Sequence, residues 1–315
     1  MLKLVGQRLA FGFATLIVIS GLIFAVTEVA PRDLAANILG QRATPENVAA
    51  VRAELGLDRP SYLRYVEWLG AAVQGDLGRS LANKRPVLDV IGPRLGNTLF
   101  LAIYAAVIAV PLSMLLGILA AIHRNSIFDK VVSIASLAAI SMPHFFIGYF
   151  LILLMSVQLG WFPAITTIKP AQSFFEHLYT AFLPMLTLIL VVIAHMMRMT
   201  RASVLAVMSM PYVEMALLKG LPKRRIVLHH ALPNALAPII QGMAVNLAYL
   251  VVGIVLVEAV FIFDGFGRLM VEAVGKHDIP VVQGCGLIFA ILFIGLRLIA
   301  DLLSILCNPR LRHAR

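Results

Sequence analysis

Two clusters in the sequence carry side chains able to ligate a metal or move a proton. His229 and His230 are adjacent, so on a helix their imidazoles diverge by about 100° and cannot chelate as a pair four residues apart would. His195 precedes Met196, Met197 and Met199, a mixture of imidazole and thioether that suits a soft transition metal. Only His195 and Met199 share a helical face, and the cluster is expected near the cytoplasmic end of an apolar run. Adaptable methionine packing beside a moving element is the simpler reading, and no metal site is expected. Cys285 and Cys307 stand near opposite ends of one apolar run, about 33 Å apart on a helix. That separation rules out a disulfide, their spacing fits no metal site, and both read as small buried apolar residues. The sequence holds no Gly-x-Ser-x-Gly elbow, no His-Glu-x-x-His pair and no Gly-x-x-x-x-Gly-Lys-Ser/Thr phosphate loop. Neither hydrolase chemistry nor ATP hydrolysis is therefore expected of this chain.

Ionisable residues inside apolar runs are costly and become functional candidates for that reason. Glu258 lies late in one run, where it could line a solute path or brace a gate by pairing with a basic residue such as Arg268. Arg297 and Asp301 stand one helical turn apart and can neutralise each other. Glu28 is expected to snorkel at the end of the first run.

The elements that hold these residues are membrane helices. Of 315 residues, 60% are hydrophobic and only 13% charged, with a mean hydropathy of +0.92; a soluble domain of this length needs more polar surface. A bilayer core of about 30 Å needs about 20 apolar helical residues. Candidate spans lie at roughly 9–29, 97–122, 131–158, 180–199, 235–262 and 284–306, which makes an all-α polytopic protein of about six transmembrane helices. The third and fifth exceed one crossing, and Pro143 and Pro238 are possible break points. The first run is longer than a signal-peptide core and is read as an uncleaved helix.

Lys3, Arg8, Arg124, Lys130, Arg198, Arg201, Lys219, Lys223, Arg224, Arg225, Arg310, Arg312 and Arg315 gather in short segments on one side, against Lys169, Arg268 and Lys276 on the other. The bias predicts cytoplasmic N- and C-termini. It also accounts for the net charge of +10 as attraction to anionic lipid rather than to nucleic acid.

Two polar segments remain. In the loop over 30–96, Thr44-Pro45-Glu46 reads as an N-cap, an N1 proline and a first-turn acid. Val48, Val51 and Leu55 then share one face, and Gly56 can close that helix. A second helix is expected over Ser61–Val73, with Tyr62, Tyr65 and Trp68 suited to a membrane interface, and Gly75-Asp-Leu-Gly78 reads as a turn. The loop is thus a small folded cap on the outer face. In the cytoplasmic segment, Pro211 opens a helix through Leu218, Gly220 supplies a positive-φ turn, and Pro222 starts the next helix. Such a helix–turn–helix either docks on a partner or packs on its own bundle.

Glu214-Met-Ala-x-x-x-Gly220 followed by His230-x-Leu232-Pro233-Asn234 resembles the EAA loop of ABC-importer permeases. Further motifs resemble the dipeptide/oligopeptide/nickel branch of that family, and they occur in the family's order along nearly the whole chain. They are Leu55-Gly-Leu-Asp-Arg-Pro60, Gly75-Asp-Leu-Gly78, Arg94-Leu-Gly-Asn-Thr98, Ser141-Met-Pro143, Glu258-Ala-Val-Phe261, Gly265-Phe-Gly-Arg268, Asp278-x-Pro280-Val-Val-Gln283 and Asn308-Pro-Arg310. Leu217 replaces the second alanine of the EAA triplet, and Asn308 replaces the aspartate of the terminal motif. The first departure leaves the docking helix apolar.

The resemblance implies a type I ABC importer permease fold in a bacterial inner membrane. It assigns residues 1–30 to an N-terminal transmembrane helix, 31–96 to the extracytoplasmic cap and 97–306 to a five-helix core. That core contains a coupling loop over 211–234, and 307–315 form a cytoplasmic tail. It further implies a second related permease subunit, two cytoplasmic ATPase subunits that bind ATP and Mg, an extracytoplasmic solute-binding protein, and no cofactor in this chain. Glu214, Ala216, Gly220, Ile226, His230, Leu232, Pro233 and Asn234 become the ATPase-coupling residues, while Glu258, Phe261 and Phe266 are assigned to the translocation path or its gate. The expected function is uptake of dipeptides or oligopeptides, with nickel or another small solute as the variant within the family. A self-sufficient secondary transporter is the competing class; it would be expected to show internal repeats or paired broken helices, and the sequence shows no such repeat.

Overall fold

The computed structural model describes residues 2–29, 44–54, 58–168 and 172–307. Leu55, Gly56, Lys169, the Asn308-Pro-Arg310 motif and the loop over 30–43 lie outside the described residues. Among those described, every regular element is a helix. In order they are α1 (Leu2–Val29), α2 (Pro45–Glu54), α3 (Ser61–Val73), α4 (Val87–Ile122), α5 (Ile127–Ser141) and α6 (His144–Leu151). Then come α7 (Phe174–Thr180), α8 (Phe182–Met208), α9 (Pro211–Leu218), α10 (Lys223–Arg225), α11 (Leu232–Val260), α12 (Phe266–Gly275) and α13 (Ile279–Cys307). π-helical turns extend α6 over Ile152–Gln158 and join α10 to α11 over Ile226–Ala231. Among the described residues, five helices are long and apolar enough to cross a membrane, and a bent pair, α5 with α6, brings the number to as many as six.

The pair α5 and α6 meets at 104°. Met142 is extended, at ψ 132°, and Pro143 follows at φ −61°; the proline ring drives the preceding residue out of the helical region. Pro238, by contrast, lies inside α11, which continues through it. The expected break is absent there, and only the hydrogen bond that Pro238 has no N–H to make is given up.

Two other helices are longer than the apolar runs predict. α4 starts at Val87 rather than near 97, and Val87 and Ile91, one turn apart, are fully buried. α8 continues to Met208 rather than stopping at 199, so Arg198 and Arg201 are helical residues and His195 sits halfway along, not near the end.

The chain divides into two compact units. One comprises 98–264 with the two terminal segments. Its core includes Leu101, Leu188, Met196, Ile239, Ile254 and Phe261, with α8 and α11 its most extensive helix pair. Their close approach depends on Gly242, whose missing side chain leaves the space that Met199 fills. Gly117 plays the same part for α4 on α8, since a Cβ there would stand 2.7 Å from the Met197 carbonyl oxygen and from Thr200 Cβ.

The other unit comprises 6–97 and 265–294. Here α3 lies on α1: Tyr65 and Trp68 bracket Phe24 with ring centroids 5.5 and 6.1 Å away, and Tyr65 Oη meets Ser20 Oγ at 2.9 Å. Glu28 does not snorkel freely. It accepts hydrogen bonds from Arg64 and from Ser61, partners too distant in sequence for a local pattern to reveal. Of the cap aromatics, only Tyr62 is largely exposed, at 69%. Leu77, Val87, Ile91, Phe266, Leu269 and Cys285 form this unit's core.

Candidate functional site

The segment after α8 is built by its own local chemistry. Met210 is extended and Pro211 takes the first helical turn of α9, where its missing N–H is no loss. Glu214 sits in that turn, favourably placed against the helix dipole. At the other end Gly220 adopts φ +75°. Its N–H reaches the Leu217 carbonyl at 2.9 Å, and the N–H of Leu221 reaches that of Ala216 at 3.3 Å. These two bonds define a Schellman motif, whose left-handed residue is best supplied by glycine. Val213, Ala216 and Ile226 are buried together, with Met208 and Leu221 packed against them.

The opposite face of α9 carries apolar side chains to the surface. Tyr212, Met215 and Leu218 are 47%, 55% and 77% exposed. Glu214, Pro233 and Asn234 are exposed as well, while His230 and Leu232 are half-buried. The His230 carbonyl accepts hydrogen bonds from Asn234 Nδ2 at 2.8 Å and from Tyr212 Oη at 3.4 Å, tying the head of α11 to α9. The π turn before α11 shifts the register so that the Leu232 N–H reaches the Val227 carbonyl, just ahead of Pro233, which has no N–H to place. Thus all eight residues assigned to coupling belong to one continuous helix–turn–helix.

The residues assigned to the path or gate are buried. Glu258 has no exposed surface and accepts a hydrogen bond from Thr98 Oγ1, joining two of the sequence motifs. Phe261 is fully buried and its carbonyl accepts from Thr166 N at 3.0 Å. In the other unit Phe266 is fully buried against Phe289, with ring centroids 4.6 Å apart. Arg268 pairs with Glu272 at 2.8 Å, and Arg94 pairs with the same carboxylate at 3.2 Å. Arg297 and Asp301 lie one turn apart on α13.

His195 and the methionines separate as the helix geometry requires: Met196 and Met197 are fully buried, Met199 fills the space at Gly242, and His195 is exposed. Among the described residues no group of three or more His, Cys, Asp or Glu could hold a metal ion.

One feature escaped the sequence reading. Asp129, in the first turn of α5, binds Arg201 of α8 through both carboxylate oxygens. Its local signal was legible as Ser126-x-x-Asp129, a capping pattern, and Ser126 indeed accepts a hydrogen bond from Asp129 N at 3.2 Å. The pairing with Arg201 has no such signal.

The family model described as binding-protein-dependent transport system inner membrane component matches residues 113–313. The chain belongs to that family. A second model, for the N-terminal part of such membrane components, matches residues 1–102. The chain is 38% identical over 313 residues to the glutathione transport system permease protein of Escherichia coli (strain K12), covering 99% of this chain and 100% of the relative. It is 39% identical to the protein of that name from Shigella flexneri, with the same coverage. A putative peptide transport system permease protein of Brucella abortus is 34% identical, again over 99% and 100%. This member of the family is a non-catalytic, multi-pass inner-membrane permease subunit of an ABC importer, in the peptide/nickel branch, with the type I permease fold.

Proposed function

We propose that this permease serves an importer of small peptides, glutathione-like tripeptides included. The observation that carries the reading is the 38% identity, across 99% of the chain, to a permease named for glutathione transport; the similarity to a putative peptide permease supports it. The dipeptide, oligopeptide and nickel alternatives differ in solute, not in machinery.

In this reading both termini are cytoplasmic, residues 31–96 cap the outer face and residues 97–306 form the permease core. A second related permease completes the path. Two ATPase subunits hold ATP and Mg, and an external binding protein delivers the solute. The segment Pro211–Asn234 docks on an ATPase through the exposed face of α9, and Glu214, Ala216, Gly220, Ile226, His230, Leu232, Pro233 and Asn234 form or brace that element. The helix–turn–helix geometry and the exposed Tyr212, Met215 and Leu218 support it. Glu258, Phe261 and Phe266 back the gate from within its wall, a role their burial supports.

Co-purification followed by reconstitution tests the reading. A second permease and two ATPase chains are expected in stoichiometric amounts, with ATP-dependent uptake of glutathione, dialanine or trialanine. Uptake of Ni²⁺ alone would overturn the peptide assignment, and transport by the lone chain without ATP would overturn the coupled importer.

A further inference from the structure

Within the unit formed by residues 98–264, a cavity of about 450 Å³ opens between α6, α8 and α11. It falls within the roughly 300–1,000 Å³ typical of small-molecule sites. Its walls are two helical stripes. On α8 the stripe runs from Leu188 through Val191 and Val192 to His195, and on α11 from Asn246 through Tyr249 and Leu250 to Gly253, each at the spacing of one helix face. Both stripes are apolar except at a few positions, and those positions converge on the same space. His144, the first residue of α6, completes the polar set.

Four properties mark this cavity as a ligand site. Its polar residues lie on or beside membrane helices, where polar side chains are rare and usually functional. His195 stands midway along α8, away from both ends of that helix. Neither imidazole hydrogen bonds to any other described residue, and the Asn246 side-chain amide gives one bond, to the Gly242 carbonyl at 2.8 Å. The wall offers N–H and O–H donors and contains no carboxylate, so it favours an anionic ligand. The backbone makes room for this arrangement: a Cβ on Gly253 would come 3.2 Å from His144 Nε2.

We propose that this cavity is a solute-contact site in which His144 and His195 hydrogen bond a carboxylate of a small peptide in transit, with Asn246 and Tyr249 framing it. The proposal rests on the peptide reading above and adds the residues that touch the solute. Gly253 acts as a positioning residue for His144.

The test uses the complete complex in proteoliposomes, with glutathione and trialanine as free acids and as their C-terminal amides. In His144→Leu and His195→Leu, uptake of the free acids should fall about tenfold, the loss of a hydrogen bond to a charged group, while uptake of the amides stays unchanged. His195→Gln, which keeps a donor, should retain most acid uptake, and Gly253→Val should reproduce the acid-specific loss. An acid-to-amide ratio equal in wild type and variants would show that the binding protein alone discriminates, and would overturn the site but not the peptide reading. A wild-type complex that takes up neither peptide overturns both. Should the leucine variants fail to assemble, a photoreactive benzoylphenylalanine at position 249 decides. Capture of tritiated glutathione during turnover supports the site, whereas capture of only lipid or the second permease overturns it.

Discussion

Arg201 and Asp129 face each other in a two-pronged ion pair, Nε to Oδ1 at 2.6 Å and Nη2 to Oδ2 at 2.8 Å. The carboxylate also accepts from Asn125 N at 2.9 Å, so the start of α5 is fastened to the last third of α8. Asp129 is only 4% exposed, and Arg201 retains a quarter of its side-chain surface.

Removing one partner should therefore be worse than removing both. Arg201→Met strands a buried carboxylate and should lower stability by about 2 kcal/mol, below the roughly 3–5 kcal/mol of a fully buried pair because Arg201 is partly exposed. Asp129→Leu combined with Arg201→Met should recover part of that loss. Thermal unfolding of the detergent-solubilised complex reads both; a double-variant loss equal to the sum of the two single-variant losses would mean that the pair is not coupled.

Among the residues proposed for coupling, Gly220 is the one whose backbone conformation restricts the residue. A β-branched side chain at φ +75° is strained by about 1–2 kcal/mol, so Gly220→Val should deform the turn and leave ATP hydrolysis running with reduced uptake. Gly220→Asn should be milder. The ratio of solute transported to ATP hydrolysed is the measurement, and full uptake by a normally assembled Gly220→Val complex would sink the coupling role.

Two glycines of α4 should respond in opposite ways. At Gly117 a Cβ would press on the Met197 carbonyl and Thr200, both at 2.7 Å, whereas at Gly96 nothing lies within 4 Å. Gly117→Val should destabilise by about 3 kcal/mol through overpacking. Gly96→Ala should be neutral or should stabilise by about 0.5–1 kcal/mol through its helical preference. Thermal scans of the two variants against the parent protein separate these outcomes.

Asp278 organises the turn before α4. Its carboxylate accepts from Ser80 Oγ and from the N–H groups of Leu81 and Ala82, the latter two at 3.0 and 3.3 Å. Asp278→Asn removes the charge and one acceptor, so the 79–86 turn should open about tenfold more often. Trypsin cleavage after Lys84 should accelerate correspondingly; an unchanged cleavage rate would show that the turn holds without the carboxylate.

Much of the architecture could be read from residue order. Apolar runs located α1, α8, α11 and α13, while proline and glycine placement located α9 and its turn at Gly220. Local chemistry sets those features, and local chemistry is what a sequence displays. What escaped detection depends on distant partners. Arg198 and Arg201 looked like the end of a span because an unpaired arginine is costly in a membrane, yet α8 continues past both, and Asp129, 72 residues away, pairs with Arg201. The same error displaced His195 toward a helix end and hid the cavity that it lines. Glu28 looked solvent-bound for an equivalent reason, since Arg64 comes from another helix. Pro238 shows the converse: a strong local breaker that a long apolar helix tolerates.

The uninterrupted course of α8 has a mechanical consequence. Its last residue, Met208, stands just before α9, and His195 lies about 20 Å back along the same hydrogen-bonded rod. A rod of this kind behaves as a lever, so a tilt imposed where α9 begins arrives at the imidazole without waiting for any intervening contact to rearrange. With Asp129 gripping Arg201 between the two points, the fulcrum is already in place.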